Sequence, residues 1–297
     1  MKYITIIFLF LLPSISNANI RYGTNSIYNL DNRELISKNP TETLPQIQKL
    51  ASSVALIFNK DDLIIEQGQD LIFANLLEDL PPVGHNICPT ERFAQHHAYK
   101  NGCSGFLVGK DLLATAGHCF KSQFSCDNQL IAFGVDAESE IPRGFKVDDN
   151  NIYHCKEIVA QFHQKESKQD YAVIRLDREA DREPLAIRIK GKISNKDQTL
   201  LIGHPLGLPL IYSPNAVINE NSNRYYFKTR VNSFHGNSGS PIFNARTLLV
   251  EGILVRGEVD IKYDNSQKCQ RYIKYTLADA TKGEDVTRIK YILPFIE

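Results

Sequence analysis

Between residues 103 and 255 the chain is a succession of short apolar runs cut by turn formers. Gly105–Val108 and Leu112–Ala114 flank Gly109-Lys110-Asp111, which reads as a hairpin. Leu130–Val135, Ile152–Phe162 and Tyr171–Leu176 continue the pattern, and Arg178–Glu183 is a charged break. After it come Leu185–Ile189, Thr199–Ile202, Leu210–Tyr212, Tyr225–Val231, Ile242–Phe243 and Leu248–Val255. No long helical periodicity appears before residue 285, where a C-terminal helix is expected to run until Pro294 stops it. Many short strands with regular turns predict an all-β protein built as barrels or sandwiches. The break divides the strands into two similar sets, without a sequence repeat strong enough to prove duplication.

Ahead of this region, Asn39-Pro40 is a turn former and Pro45 can open a short helix to Leu50. Ser52–Phe58 reads as a strand, Asn59–Asp62 as a turn and Leu63–Glu66 as the partner strand. Pro81-Pro82 marks a boundary. At the start, Lys2, the apolar run Ile4–Leu12 and Ser16-Asn17-Ala18 have the form of a secretory signal peptide, residues 1–18, cleaved after Ala18. Its apolar run is too short to span a bilayer, and no other run is long enough. Residues 19–84 are then an N-terminal extension or a propeptide.

Export makes the six cysteines interpretable as three disulfides, with fifteen pairings open. None of the spacings is CxxC, and no histidine joins them at zinc-site spacing, so no metal is expected. The charges balance, 34 basic against 34 acidic, so nothing points to nucleic acid or an anionic membrane as partner. The 297 residues suffice for one large domain or two modest ones.

Three segments carry chemistry. Gly236-Asn237-Ser238-Gly239-Ser240-Pro241 lies between two strand-like runs and can present a serine hydroxyl beside backbone N–H groups. Taken alone, it reads better as an ordinary turn between two strands. Thr115-Ala116-Gly117-His118-Cys119 ends the hairpin, and a Cys103–Cys119 bridge would fix His118 there. His96, His97 and His204 have no comparable frame. Asp170 directly precedes the apolar strand Tyr171–Leu176 and could orient an imidazole. Asp148 and Asp149 are weaker rivals in a polar loop. The order His, Asp, Ser is one of the few used by serine-protease triads.

With these residues the chain resembles the chymotrypsin-fold serine endopeptidases. Cys103–Cys119 is similar to that family's cysteine-flanked histidine segment, Asp170 to its Asp-x-Ala strand, and Gly236–Pro241 to its nucleophile segment. Within the fold it is most similar to the bacterial glutamyl endopeptidase group, which carries the same nucleophile segment followed by an apolar residue, Phe and Asn, here Ile242, Phe243 and Asn244. Asp31-Asn32-Arg33 faintly resembles the start of the mature enzymes. The resemblance implies two packed six-stranded antiparallel β-barrels, a first over 85–180 and a second over 181–297 that includes the C-terminal helix.

It further implies His118, Asp170 and Ser238 as the triad, with the N–H groups of Gly236 and Ser238 as oxyanion hole and no cofactor. The substrate is then a protein or peptide, the chain a monomer, and its place secreted or periplasmic. For the substrate pocket it points to Asn232, Ser233, Leu254 and Arg256. Asn232 stands where a carboxylate would select Lys or Arg, and Leu254 where glutamyl endopeptidases have a histidine. Arg256 could restore a preference for acidic residues or be a solvated rim charge. Two rival classes are an inactive binding module, which has no need of a full triad, and an α/β-fold esterase, which requires helices and the order Ser, Asp, His.

Overall fold

The computed structural model describes residues 31–66, 69–76, 86–276 and 283–296. The expected signal peptide and the Pro81-Pro82 boundary lie outside them. Twelve strands form the core. The first six are β1 (Val54–Asn59), β2 (Cys103–Leu107), β3 (Leu112–Thr115), β4 (Gln129–Phe133), β5 (Ile152–His163) and β6 (Asp170–Leu176). The second six are β7 (Gln198–Gly203), β8 (Ile211–Glu220), β9 (Tyr226–Thr229), β10 (Pro241–Asn244), β11 (Val250–Arg256) and β12 (Glu284–Arg288).

Each set closes into an antiparallel barrel, as expected. The first ring runs β1-β2-β3-β6-β5-β4 and back to β1. The second runs β7-β8-β9-β12-β11-β10 and back to β7. The two rings have the same connectivity, so the duplication that the sequence does not display is present in the topology. Glu34–Leu35 adds a short edge strand beside β8.

β1 shows why these residues make this architecture. Val54–Phe58 is buried at every position. Ala55 and Ile57 face the barrel interior with Phe106 and Leu113, while Leu56 and Phe58 pack outside with Phe145 and Val147. A strand covered on both faces reads as an unbroken apolar run. It needs a neighbour along each edge and finds β2 and β4, not Leu63–Glu66 as expected. A 3-10 turn at Lys60–Asp62 carries the chain away, and Leu63–Glu66 pairs with Gln69–Phe73 in a four-stranded sheet outside the barrel. The first barrel therefore begins inside the 19–84 segment, not at 85.

Two further expectations are corrected. Among the described residues the C-terminal helix does not form: residues from 284 make β12, held between β9 and β11, and the 3-10 turns Ile289–Tyr291 and Leu293–Phe295 follow. All five β12 residues are buried although four are polar or charged, so their composition hid a central strand. Leu185–Ile189 is no strand either; it crosses between barrels, with one isolated bridge from Ile187 to Val250. The expected helix near Pro45 forms, over Pro45–Ala51.

A single apolar cluster joins Phe106, Leu107 and Leu113 of the first barrel to Leu200, Ile202, Phe243 and Ile253 of the second. Three disulfides, Cys88–Cys269, Cys103–Cys119 and Cys126–Cys155, use all six cysteines. Among the described residues no helix is long and apolar enough to cross a membrane.

Candidate active site

His118 sits in the turn that follows β3, and the next residue, Cys119, is bridged to Cys103 at the start of β2. Both sulfurs near the imidazole are thus in a disulfide and are not available as metal ligands. Asp170 opens β6, which pairs with β3 in register. That pairing brings the two residues together. His118 Nδ1 lies 2.8 Å from Asp170 Oδ2, and the His118 backbone N–H donates to Oδ1 at 3.0 Å. Because a carboxylate only accepts, Nδ1 carries the proton and Nε2 presents its lone pair.

The Asp170 side chain is buried. Burial by itself would raise its pKa; the His118 hydrogen bonds and charge, with His163 nearby, outweigh this and hold the carboxyl below its ordinary range. Two basic groups stand beside it, Arg256, expected at the substrate pocket, and His163, for which the sequence suggests no role. Arg256 Nη2 is 3.6 Å and His163 Nε2 3.9 Å from Oδ2. Extending the β5–β6 hairpin register would have found His163, which is paired with Asp170. Arg256 also donates to the Lys168 carbonyl and lies 3.5 Å from the buried Asp285. It therefore sits beside Asp170, held by the Lys168 carbonyl and Asp285.

Ser238 lies in the turn before β10. Ser104 clamps that turn to the first barrel: its N–H donates to the Ser238 carbonyl at 2.8 Å and its hydroxyl to the Gly236 carbonyl at 2.9 Å. The Ser238 carbonyl is also 4.0 Å from Cys119 Sγ, next to His118. Asn237 is fully buried, its Nδ2 donating to Ser233 Oγ. Among the described residues, no acceptor takes the N–H of Gly236 or of Ser238. Two such free donors flanking a hydroxyl are the makings of an oxyanion site.

Gly239 has φ +93°, and a Cβ there would collide with the Ser104 carbonyl and Thr115 Oγ1. Gly239→Ala is therefore expected to destabilise the fold by about 3 kcal/mol or more, read from urea unfolding midpoints. Unchanged stability would show that the turn can yield.

The segment under the nucleophile turn contains His204. It is fully buried, with Nδ1–H donating to the Leu208 carbonyl and Nε2 unpartnered among the described residues. Burial pushes its pKa down from 6.5 to about 4. Between those values the unfolded chain binds the proton and the folded one does not, so this contribution is complete above pH 6.5 and is lost as pH falls toward 4. The loss amounts to about 3 kcal/mol. Glu284, buried and raised, titrates with the opposite sign. The test is therefore a subtraction: between pH 7.5 and 4 the wild type should lose about 3 kcal/mol more than His204→Gln, and parallel curves would refute it.

Of the four expected pocket residues, Ser233 lines a small cavity together with Phe234, Glu258, Val259, Asp260, Ile273, Tyr275 and Glu284. Asn232 is buried and its Nδ2 donates to Asn32 Oδ1, so it anchors the N-terminal segment. Leu254 packs into the second barrel's core with Phe227, Ile242 and Val286. Phe234 is backed by the fully buried Arg33, whose guanidinium stacks 4.1 Å from its ring and pairs with Asp31.

A family model described as trypsin-like peptidase domain matches residues 103–253, just over half of the chain. Among solved structures, one described as a Glu endopeptidase in complex with MPD superposes with a TM-score of 0.51 at 14% identity, covering 91% of this chain and 97% of that one. At that identity the likeness concerns the fold. No curated protein matches the sequence.

Proposed function

The chain belongs to the trypsin-like peptidase domain family, and from that premise we propose that it is an exported serine endopeptidase acting through His118, Asp170 and Ser238. The observation that carries this reading is the His118–Asp170 pair, 2.8 Å apart, beside a serine turn with two free N–H groups.

Ser238 Oγ attacks a peptide carbonyl as His118 Nε2 takes its proton. Asp170 fixes the Nδ1–H tautomer and stabilises the imidazolium. The N–H groups of Gly236 and Ser238 receive the oxyanion, each worth on the order of 10²–10³ in turnover. Protonation of the amine by His118 releases the first product and leaves an acyl-enzyme on Ser238. Water activated by the same imidazole then hydrolyses it.

Export is supported by the signal-like N-terminus and by three disulfides, which persist in oxidising compartments. Residues from 31 onward stay with the mature enzyme, because β1 is a barrel strand and Asn32 and Arg33 brace residues 232–234. The test is pre-steady-state hydrolysis of 4-nitrophenyl acetate. A burst of nitrophenol stoichiometric with enzyme is expected; a linear trace, together with no cleavage of unfolded protein, would count against the proposal.

A further inference from the structure

We propose that a cavity of about 320 Å³ at the join of the two barrels binds a free apolar α-amino acid, its carboxylate on Arg182 and its ammonium on Asp136. The cavity lies where the N-terminal segment, the helix Pro45–Ala51, the β4–β5 connection and the residue before β8 come together. Backbone hydrogen bonds lock that meeting. Ile36 N–H donates to the Leu210 carbonyl at 2.9 Å, Leu210 N–H to the Val135 carbonyl at 2.8 Å, and Ala137 N–H to the Ile36 carbonyl at 3.1 Å. The walls are therefore preformed, and the volume suits a small molecule. The cavity opens to solvent beside the exposed Lys38 and Ser52. It shares no residue with the turns that carry His118 and Ser238, so the inference stands apart from the peptidase reading.

Two charged side chains line this cavity without being fully matched. Asp136 is 5% exposed; Lys38 reaches its Oδ2 at 3.2 Å, and its Oδ1 is buried with no partner among the described residues. Arg182 donates through Nη2 to Asn151 Oδ1 at 2.7 Å and lies over the Phe133 ring, but its Nε is buried and unpartnered. Among the described residues no carboxylate pairs with Arg182, and Asp136 and Arg182 do not pair with each other. Burial raises the Asp136 carboxyl above its ordinary range in spite of Lys38, and lowers Arg182 below its own.

A buried polar atom without a partner costs free energy, which a ligand of matching polarity offsets. The guanidinium fork suits a carboxylate, and the unmatched Oδ1 suits a charged donor. The lining holds two cations, Lys38 and Arg182, against the one anion Asp136. A simple amine would therefore meet net repulsion, and a simple carboxylate would leave Asp136 unmatched. An α-amino acid carries both groups on one carbon. Ile36, Ala51 and Leu210, all buried, offer apolar surface to its side chain.

The experiment is calorimetric titration of the purified chain with L-leucine, with 4-methylpentanoate, which lacks the amine, and with 3-methylbutylamine, which lacks the carboxylate. Leucine should bind once per chain with a Kd below about 1 mM, and each analogue at least about 10-fold more weakly. Arg182→Gln and Asp136→Asn should each weaken leucine by about 10-fold or more, and Arg182→Lys, which keeps the charge, should recover part of the loss. Urea midpoints establish which variants are folded; should either fail to fold, the comparison of the three compounds on the wild type decides. No saturable binding of leucine, equal binding of either analogue, or leucine binding that survives both substitutions overturns the assignment.

Discussion

Ser238→Ala should lower kcat/KM on peptide substrates by about 10⁶-fold, leaving only the slow hydrolysis that binding and the oxyanion donors provide. The fold should not change. Ser238 is half-buried, its backbone carbonyl accepts from Ser104, and among the described residues its hydroxyl makes no hydrogen bond on which the turn depends. Removing one oxygen therefore deletes the nucleophile and little else. Matching urea midpoints for both proteins, with activity lost only in the variant, is the expected pattern. Retained activity in the variant would transfer the chemistry to another group.

Asp170→Asn should cost about 10⁴-fold in kcat while keeping substrate affinity near wild type. The amide conserves size but replaces one acceptor oxygen with a donor. At Oδ2 it would face the Nδ1–H of His118 donor to donor, so the ring turns to the other tautomer and loses its free Nε2 lone pair. Arg256 sharpens the effect. With the carboxylate gone, its guanidinium remains beside the imidazole without the negative charge between them, and the imidazolium formed during attack is opposed rather than stabilised. The wild-type carboxyl is held below its ordinary value, so its contribution to stability is complete above about pH 4 and is lost only as the pH falls further. A kcat loss of less than tenfold would show that His118 does not depend on Asp170.

The elements that could be read from sequence are those whose residues match their surroundings. β1, β2, β3 and β6 are apolar because they are buried, and the Gly-Lys-Asp turn announces the hairpin before His118. β12 could not be read in that way. Glu284, Asp285, Thr287 and Arg288 are buried by pairing with β9 and β11 and by ion pairs from distant strands, none of which leaves a local periodicity. The same applies to the pocket. His118, Asp170 and Ser238 stand in local frames, whereas Leu254 and Arg256 are expected at the pocket through the family resemblance alone. Leu254 goes into the core and Arg256 beside Asp170. Glu284 lines the same small cavity as Ser233 although the two lie far apart in the chain, and they meet only through barrel closure.

The central claim is that Ser238 is an activated nucleophile. The most direct measurement is reaction of the native, purified chain with a fluorophosphonate, followed by intact mass and peptide mapping. One adduct per chain on Ser238, abolished by unfolding in urea and reduced at least 100-fold in His118→Ala, is the expected result. A native wild-type chain that takes up no adduct, or takes it up at another residue, would contradict it.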